Sequence, residues 1–208
     1  MADILVTGAN GFVGRHVSRA AAHEGHTVVG IGHGDWTEDA WRAWGLSAWH
    51  ELDVTLASLV AHGGEPEVVI HCAGGSSVGF SLDNPAQDFD RTVVTTRDVL
   101  EYLRISAPGA ALVYPSSAAV YGRATTLPID EDAPLVPISP YGAHKEIAEG
   151  MSRSYAETFG LRVAIVRLFS AYGAELRKQL LWDACRKVAG GDCRFDGTGK
   201  QTRDWVHV

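Results

Sequence analysis

The sequence predicts an α/β fold in which helices cover both faces of a doubly wound, mostly parallel sheet. Apolar runs of strand length alternate with amphipathic stretches of helix length along the 208 residues. The apolar runs carry few polar residues, as strands that are buried on both faces do. Apolar residues make up 46% of the chain, which is enough for a full core.

Six strands and four longer helices are expected. The strands are predicted at residues 4–6, 27–31, 47–50, 67–72, 110–114 and 161–168, and the helices at 12–23, 84–105, 139–159 and 175–189. The tryptophan-rich stretch 36–49 is interpreted as a short helix and a loop that cover the sheet edge. Residues 121–140 are too irregular for an element and too long for a simple connection, which indicates a functional loop. The tail, 193–208, is poor in apolar residues and is given no element.

Composition and charge limit the classes of protein to which this chain can belong. The net charge of −7 argues against a general nucleic-acid surface. No run of about 18 apolar residues is present, so no membrane span is expected. The first strand begins almost at once, which leaves no room for a signal peptide. Cys72, Cys185 and Cys193 have no metal-ligand spacing, so we expect a cytoplasmic protein without a metal site.

The turn after the first strand predicts a dinucleotide site. Residues 6–14 run Val-Thr-Gly-Ala-Asn-Gly-Phe-Val-Gly, between a strand and a helix. Gly8 and Gly11 can adopt backbone angles closed to other residues, and Gly14 lets the helix sit close to the strand. N–H groups at the helix start would then face a pyrophosphate, although a plain strand-to-helix turn is the alternative. The residues assigned to this Rossmann-type cofactor site are Gly8, Asn10, Gly11, Phe12, Val13 and Gly14.

The adenosine of such a cofactor would lie beyond the second and third strands. An acidic residue at the end of the second strand binds the ribose hydroxyls of NAD, whereas a basic one favours the phosphate of NADP. Here His33 stands near that place and Asp35 follows late, while His33 and Arg15 are either phosphate ligands or ordinary surface residues. The choice stays open, with a slight preference for NAD over NADP. Asp53 and Val54 are predicted to meet the adenine, and the alternative for Asp53 is a helix N-cap.

A tyrosine and a lysine on one helix predict acid–base chemistry. Tyr141 and Lys145 are four residues apart and share a helix face, and Ser117 ends the preceding strand. A phenol with a pKa of about 10 is a poor base at neutral pH. The Lys145 ammonium and an oxidised nicotinamide would favour its phenolate. Tyr141 could then take a proton from an alcohol that Ser117 holds, while Lys145 also binds the nicotinamide ribose. Alone, the Tyr–Lys pair is equally typical of a helix surface.

The fourth predicted strand ends in small residues. Cys72, Ala73 and Gly74 would let a cofactor lie flat over the strand end, and we assign them to the cofactor site.

Several motifs together resemble the extended short-chain dehydrogenase/reductases of the NAD-dependent epimerase/dehydratase family, which act on nucleotide sugars. The matching segments are 7–14, 71–74, 116–122, 139–145, 167–173 and 197–208. The resemblance covers the whole chain and implies Ser117, Tyr141 and Lys145 as a catalytic triad. It also implies a nucleotide-sugar substrate and a homodimer that forms through helices 84–105 and 139–159. The residues that it places near substrate are Ser76, Ser77, Ser117 and Ser170.

Departures from the family pattern narrow the expectation. Family 4,6-dehydratases carry an Asp-Glu pair after the catalytic hydroxyl, where this chain has Ala118 and Ala119, so dehydration is not expected. Thr92 and Ser170 replace asparagines, which leaves the sugar open. Ser76 and Ser77 could equally form a flexible glycine–serine turn.

The leading expectation is an NAD-dependent nucleotide-sugar epimerase that transiently oxidises a sugar hydroxyl. The alternatives are an NAD(P)H-dependent nucleotide 4-keto-sugar reductase and a non-catalytic dinucleotide-binding module. Residues 1–208 are predicted to form one NAD(P)-binding domain, with 170–208 the start of a truncated substrate lobe. The chain is accordingly expected to be either a fragment or a shortened protein.

Overall fold

The computed structural model describes residues 1–195, 197–200 and 202–208. These residues form two compact units, Met1–Arg167 and Leu168–Val208. Each unit has its own secondary structure, and the first contains the sheet.

The sheet has six strands in the order β3-β2-β1-β4-β5-β6. They are β1 (Asp3–Thr7), β2 (Thr27–Gly32), β3 (Ala48–Glu51), β4 (Val68–His71), β5 (Ala111–Ser117) and β6 (Arg162–Leu168). The pairs β1–β2, β1–β4, β2–β3 and β4–β5 are parallel. The predicted doubly wound α/β fold is therefore confirmed. Strand order reverses at β1, and open sheets of this kind bind ligands at such a switch point.

Besides a 3₁₀ turn, the first unit contains eight helices or helical turns. They are α1 (Phe12–His23), α2 (Glu38–Ala43), α3 (Leu56–His62), α4 (Val78–Asp83), α5 (Pro85–Phe89), a π-helical turn (Asp90–Val94), α6 (Thr95–Ser106) and α7 (Pro140–Phe159). A 3₁₀ turn over Ala118–Tyr121 follows β5. The single helix predicted at 84–105 is wrong in one respect, because the π-helical turn divides it. Helix α4 was not expected, since its six residues are too few for a periodic pattern.

Alternation along β1 explains why both faces of the sheet are covered. Leu5 belongs to one apolar cluster, with Leu112 and helix residues such as Leu103. Ile4 and Val6 belong to a second cluster on the opposite face. Successive side chains of a strand point to opposite faces, so a strand that is apolar throughout needs a layer on each side. Tryptophans 36, 41 and 49 pack against the second cluster, which confirms the packing interpretation of the tryptophan-rich stretch.

The second unit contains β7 (Ser170–Tyr172), α8 (Gln179–Ala189) and β8 (Trp205–His207). Strands β7 and β8 pair in parallel, with Ser170 opposite Trp205. The helix predicted from residue 175 begins four residues later, and the tail that was given no element contains β8. Three-residue strands are too short to produce a readable alternation. Within the described residues, no helix combines the length and apolar character that a membrane crossing requires.

Candidate active site

The glycine turn brings β1, α1 and β4 into close contact. Gly8 has a φ of +68°, and a Cβ at this position would lie 2.7 Å from the Ala73 nitrogen. A Cβ at Gly14 would lie 2.2 Å from the Gly8 carbonyl oxygen. The expectation for Gly11 is wrong, because its φ of −69° suits any residue. Gly11 instead provides space, since a Cβ there would lie 3.1 Å from the same oxygen.

The start of α1 has the character of an anion site. Gly11 is its N-cap and makes no side-chain capping bond. Phe12, Val13 and Gly14 form the first turn, whose N–H groups have no partner within the helix. This turn could hold a pyrophosphate, as its residues were predicted to do.

The predicted adenosine residues come together at the ends of β1, β2 and β3. Asn10 Nδ2 donates to the His33 carbonyl oxygen at 3.3 Å, and an Arg15 guanidinium nitrogen donates to Asn10 Oδ1 at 2.8 Å. His33 Nε2 lies 3.0 Å from Asp53 Oδ1, with both side chains exposed. An exposed carboxylate is therefore present where ribose hydroxyls or an adenine amino group would bind. Val54 is buried in the core beside it.

Asp53 does not cap a helix, so that alternative is wrong. Thr55 caps α3, with its Oγ1 accepting from the Ser58 nitrogen at 3.1 Å. The Ser58 hydroxyl accepts in return from the Thr55 nitrogen at 3.0 Å. This reciprocal pair is a capping box. The Asp53 side chain takes no part in this cap and is exposed after the end of β3.

A buried histidine fixes the ends of β1 and β4. His71 Nδ1 lies 2.7 Å from Thr7 Oγ1, and its Nε2 lies 3.2 Å from Thr96 Oγ1 on α6. Burial, and to a smaller extent the Lys145 charge, lower the pKa of His71 to about 3. His71 is therefore a neutral bridge at neutral pH, and it holds the segment that carries the next site residues.

That segment is held by two threonine hydroxyls. Thr7 Oγ1 accepts from the Ala73 nitrogen at 3.4 Å, and Thr92 Oγ1 accepts from the Gly75 nitrogen at 2.9 Å. Burial raises the pKa of the Cys72 thiol to about 12, although the Lys145 charge opposes this, so Cys72 carries no charge. Small, neutral groups thus line the path from the glycine turn toward Lys145.

The serines after this segment have different surroundings. Ser76 is exposed. Ser77 caps α4, its hydroxyl accepting from the Phe80 nitrogen at 3.2 Å. The alternative of a flexible glycine–serine turn is therefore wrong for Ser77. Contact of Ser76 and Ser77 with substrate stays a prediction. Ser170 begins β7 in the second unit, and its contact with substrate also stays a prediction.

The three predicted catalytic residues meet at the end of β5. Ser139 caps α7, which carries Tyr141 and Lys145. Lys145 is buried, and its Nζ donates to the Pro115 carbonyl oxygen at 3.1 Å. The Ser117 hydroxyl, at the end of β5, is close enough to the Tyr141 phenol to lower the phenol's pKa. A phenol, a hydroxyl and a buried amine are therefore gathered at the end of β5, and such groups can perform general acid–base chemistry on an alcohol.

Burial dominates the electrostatics of these groups. It raises the pKa of Tyr141, the Ser117 hydrogen bond lowers this pKa, and the Asp88 charge raises it again. Burial also lowers the pKa of Lys145 to about 8, against the effect of nearby negative charges. The expected phenolate is therefore not favoured by Lys145 alone. A further positive charge in the site, such as that of an oxidised nicotinamide, would favour the phenolate of Tyr141.

Two buried acids of the site were not predicted. Asp88 on α5 pairs with His144 at 2.7 Å, across 56 residues of sequence. Glu149 on α7 is fully buried and binds Ser116 and Arg167. Only the i,i+4 spacing of Glu149 and Arg153 could have been noticed in the sequence.

Known proteins resemble this chain along its whole length. The model of the NAD-dependent epimerase/dehydratase family matches residues 4–208. A UDP-glucose 4-epimerase from Azospirillum brasilense is 35% identical and aligns with 99% of this chain and 64% of its own. UDP-glucuronic acid 4-epimerase from Bacillus cereus, solved with UDP-glucuronic acid and NAD, has a TM-score of 0.86 at 25% identity and aligns over 99% of this chain and 69% of its own.

A third match has a different activity. An NAD-dependent NDP-hexosamine 5,6-dehydratase is 29% identical, with a TM-score of 0.85 over 100% of this chain and 68% of its own. The chain spans from 43% to 69% of the length of the curated relatives that it matches. The glycine turn, the triad and these matches agree, and the chain belongs to the NAD-dependent epimerase/dehydratase family.

Proposed function

We propose that the protein is an NAD-dependent nucleotide-sugar epimerase. The observation that carries this proposal is the meeting of Ser117, Tyr141 and Lys145 beside the glycine turn. The name of the Azospirillum relative and the ligands of the Bacillus structure support a UDP-sugar as substrate. The exposed Asp53 carboxylate follows β3 and lies 3.0 Å from His33, which follows β2; it supports NAD over NADP, because a carboxylate would repel a 2′-phosphate.

In this mechanism the chain's own residues bind, orient and move one proton. The α1 start and the glycine turn would hold the pyrophosphate of NAD, and Lys145 would bind the nicotinamide ribose. Ser117 would donate a hydrogen bond to the sugar oxygen, and Tyr141 would take the proton from the sugar hydroxyl. NAD would supply the acceptor, and later the donor, of the hydride from the sugar carbon. Between the two hydride transfers the keto sugar would rotate to present the opposite face of that carbon, and Tyr141 would return its proton to the sugar oxygen.

The neighbouring residues support epimerisation over dehydration. Ala118 and Ala119 follow Ser117 and carry no group that transfers a proton. A dehydratase needs an acid or base to eliminate water, in addition to the redox triad. One of the structural matches is a 5,6-dehydratase, so an experiment has to distinguish epimerisation from dehydration.

Product analysis with a matched pair of tyrosine variants tests the proposal. Protein purified without added NAD should release NAD on denaturation and convert UDP-sugars to their 4-epimers. Tyr141→Phe should lose at least about a hundredfold in turnover while it still binds NAD. Tyr155→Phe is the control, because Tyr155 lies on the same helix and bonds Glu101.

Other outcomes identify the alternatives. Stoichiometric oxidation of NADPH by a nucleotide 4-keto sugar would identify a reductase. Bound NAD without any conversion would identify a binding module, and full activity in Tyr141→Phe would contradict the triad.

We also infer a homodimer that forms through the α5–α6 stretch and α7. Large apolar side chains are exposed on these helices, namely Phe89, Ile105, Ile147 and Phe159, which are between 38% and 51% exposed. Apolar exposure of this kind is typical of an interaction surface. Sedimentation should give a dimer, and Ile147→Glu should give a monomer; a wild-type monomer would contradict the inference.

The substrate lobe is also part of the proposal. We propose that 170–208 begins this lobe and that Ser170 contacts the sugar nucleotide. Ser170→Ala should raise KM with little change in kcat, and an unchanged KM would remove Ser170 from the site.

A further inference from the structure

Asp88 is a buried carboxylate near the proposed base, and the mechanism above does not use it. Its side chain has no solvent exposure. Its Oδ2 accepts a hydrogen bond from His144 Nδ1 at 2.7 Å. Its Oδ1 has no hydrogen-bond partner among the described residues. A buried carboxylate that is only half satisfied costs stability, which indicates a role for its charge.

The unpartnered oxygen borders the glycine segment after β4. A Cβ added to Gly75 would lie 2.1 Å from Asp88 Oδ1. A Cβ added to Gly74 would lie 3.7 Å from Lys145 Nζ. Two consecutive glycines therefore border both the carboxylate and the lysine ammonium. His144, which directly precedes Lys145 on α7, holds the carboxylate from the other side.

The proposed base lies beside this pair, because Tyr141 and His144 are three residues apart on α7 and share a face of the helix. After burial and the Ser117 hydrogen bond, the Asp88 charge is the next cause acting on the pKa of Tyr141, and it raises this pKa. Other titratable or charged groups come from the elements around the pair: Lys145 and Glu149 on α7, Arg91 in the π-helical turn, Cys72 after β4 and Tyr114 on β5.

We propose that Asp88 and His144 form a positioning pair, in which His144 holds the Asp88 carboxylate and the carboxylate's charge controls how readily Tyr141 gives up its proton. This rests on the proposed role of Tyr141 as the base. A negative charge beside a phenol disfavours the phenolate, so Asp88 keeps Tyr141 protonated in the empty site. The positive charge of a bound oxidised nicotinamide opposes Asp88, so the base becomes active only when the cofactor is present.

A spectroscopic titration of Tyr141 in the purified full chain, measured before and after its bound NAD is removed, tests this. Phenolate absorbance is followed against pH for each variant. The titration of the same variant with Tyr141→Phe added is then subtracted, which leaves the signal of Tyr141 alone. Asp88→Asn keeps the shape and an acceptor for His144 but removes the charge. It should move the Tyr141 midpoint down by about one pH unit, a roughly tenfold easier ionisation.

His144→Asn is the matched control. It keeps a donor to Asp88 and leaves the charge of the Asp88 carboxylate in place. The Tyr141 midpoint should therefore stay where it is in the wild type. A merely structural role would disturb both variants alike, so equal shifts would overturn the proposal, as would an unchanged midpoint in Asp88→Asn.

A second variant covers the case in which Asp88→Asn does not fold. His144→Arg places a fixed positive charge against Asp88 and should also lower the Tyr141 midpoint, whereas an unchanged midpoint would refute the proposal. Absorbance of the phenolate requires no turnover. A protein that shows the expected shifts but epimerises no sugar would refute the proposed function and leave the pair supported.

Discussion

Replacing Glu149 with glutamine should lower the free energy of unfolding by about 3 kcal/mol at neutral pH. Glu149 is fully buried on α7, and its two oxygens bind side chains from three directions. The Ser116 hydroxyl donates at 2.6 Å, Arg153 donates at 3.1 Å, and Arg167 donates through two nitrogens at 2.8 and 3.0 Å. Glutamine has the same shape but offers one acceptor oxygen and an amide donor that faces other donors.

The magnitude follows from what the substitution leaves behind. Removing one partner of a buried ion pair typically costs about 3–5 kcal/mol. Arg167 keeps its bonds to the Tyr121 hydroxyl and the Glu131 carbonyl oxygen, both at 2.7 Å, so the lower end applies. For a chain of this size, about 3 kcal/mol corresponds to a fall in Tm of roughly 6–12 °C.

The penalty should depend on pH in a defined direction. Burial alone would raise the pKa of Glu149, but hydrogen bonds from Arg167, Ser116 and Arg153 hold it below its usual 4.5. A carboxyl with a lowered native pKa stabilises the fold above its unfolded pKa, and this contribution is lost as pH falls through the native value. The difference between wild type and Glu149→Gln should therefore stay constant from pH 7 down to about the usual pKa of 4.5 and shrink as pH falls below it.

Urea unfolding followed by circular dichroism measures this difference at each pH. Glu157→Gln is the control, because Glu157 is exposed on the same helix. Its effect should stay within about 0.5 kcal/mol at every pH. A Glu149→Gln penalty below about 1 kcal/mol at pH 7, or one that does not change with pH, would refute the reasoning.

Two further predictions concern the glycine turn and the buried histidine. Gly14→Ala should weaken NAD binding at least about tenfold in calorimetric titrations, because its Cβ would lie 2.2 Å from the Gly8 oxygen. Gly150→Ala, whose Cβ meets no atom within 4 Å, should bind NAD normally. His71→Gln should flatten the pH dependence of stability between pH 6.5 and about 3, since the unfolded chain gains a proton that buried His71 does not. Urea unfolding at pH 7 and pH 5 measures this, and an unchanged wild-type slope in the variant would contradict it.

The glycine turn could be predicted because its physics is local. Gly8 and Gly14 lie within one strand-turn-helix unit, and the spacing alone indicates which backbone groups must approach each other. The reason assigned to Gly11 is wrong for an equally physical cause. A glycine can supply either an unusual φ or empty space, and the sequence does not distinguish these two properties.

The catalytic group was predictable for a different reason. Tyr141 and Lys145 are one helical turn apart, so the helix period places them on the same face. Their electrostatics were not predictable in this way, because the raised pKa of Tyr141 comes first from burial and then from the distant Asp88. The burial of Tyr141 depends on how α5 and α7 pack against each other, and the periodicity of either helix alone does not predict this packing.

The Asp88–His144 pair has no local signal. The two residues are 56 positions apart, and each on its own reads as an ordinary polar residue of a helix. Helix α4 was not predicted because it is too short to show a periodic pattern. It nevertheless contacts the start of α7, where its Ser81 hydroxyl accepts a hydrogen bond from the Tyr141 nitrogen at 3.0 Å.

The π-helical turn at Asp90–Val94 has a consequence for which sequences can evolve here. A π-turn holds about one residue more than an α-turn, so it rotates the chain before it by about 100° relative to the chain after it. Asp88 lies just before this turn and Thr92 lies within it, and both border Gly75. Loss of one residue from 90–94 would restore an unbroken α-helix and turn Asp88 away from the glycine segment. Descendants of this chain can therefore exchange side chains in the turn more readily than they can change its length.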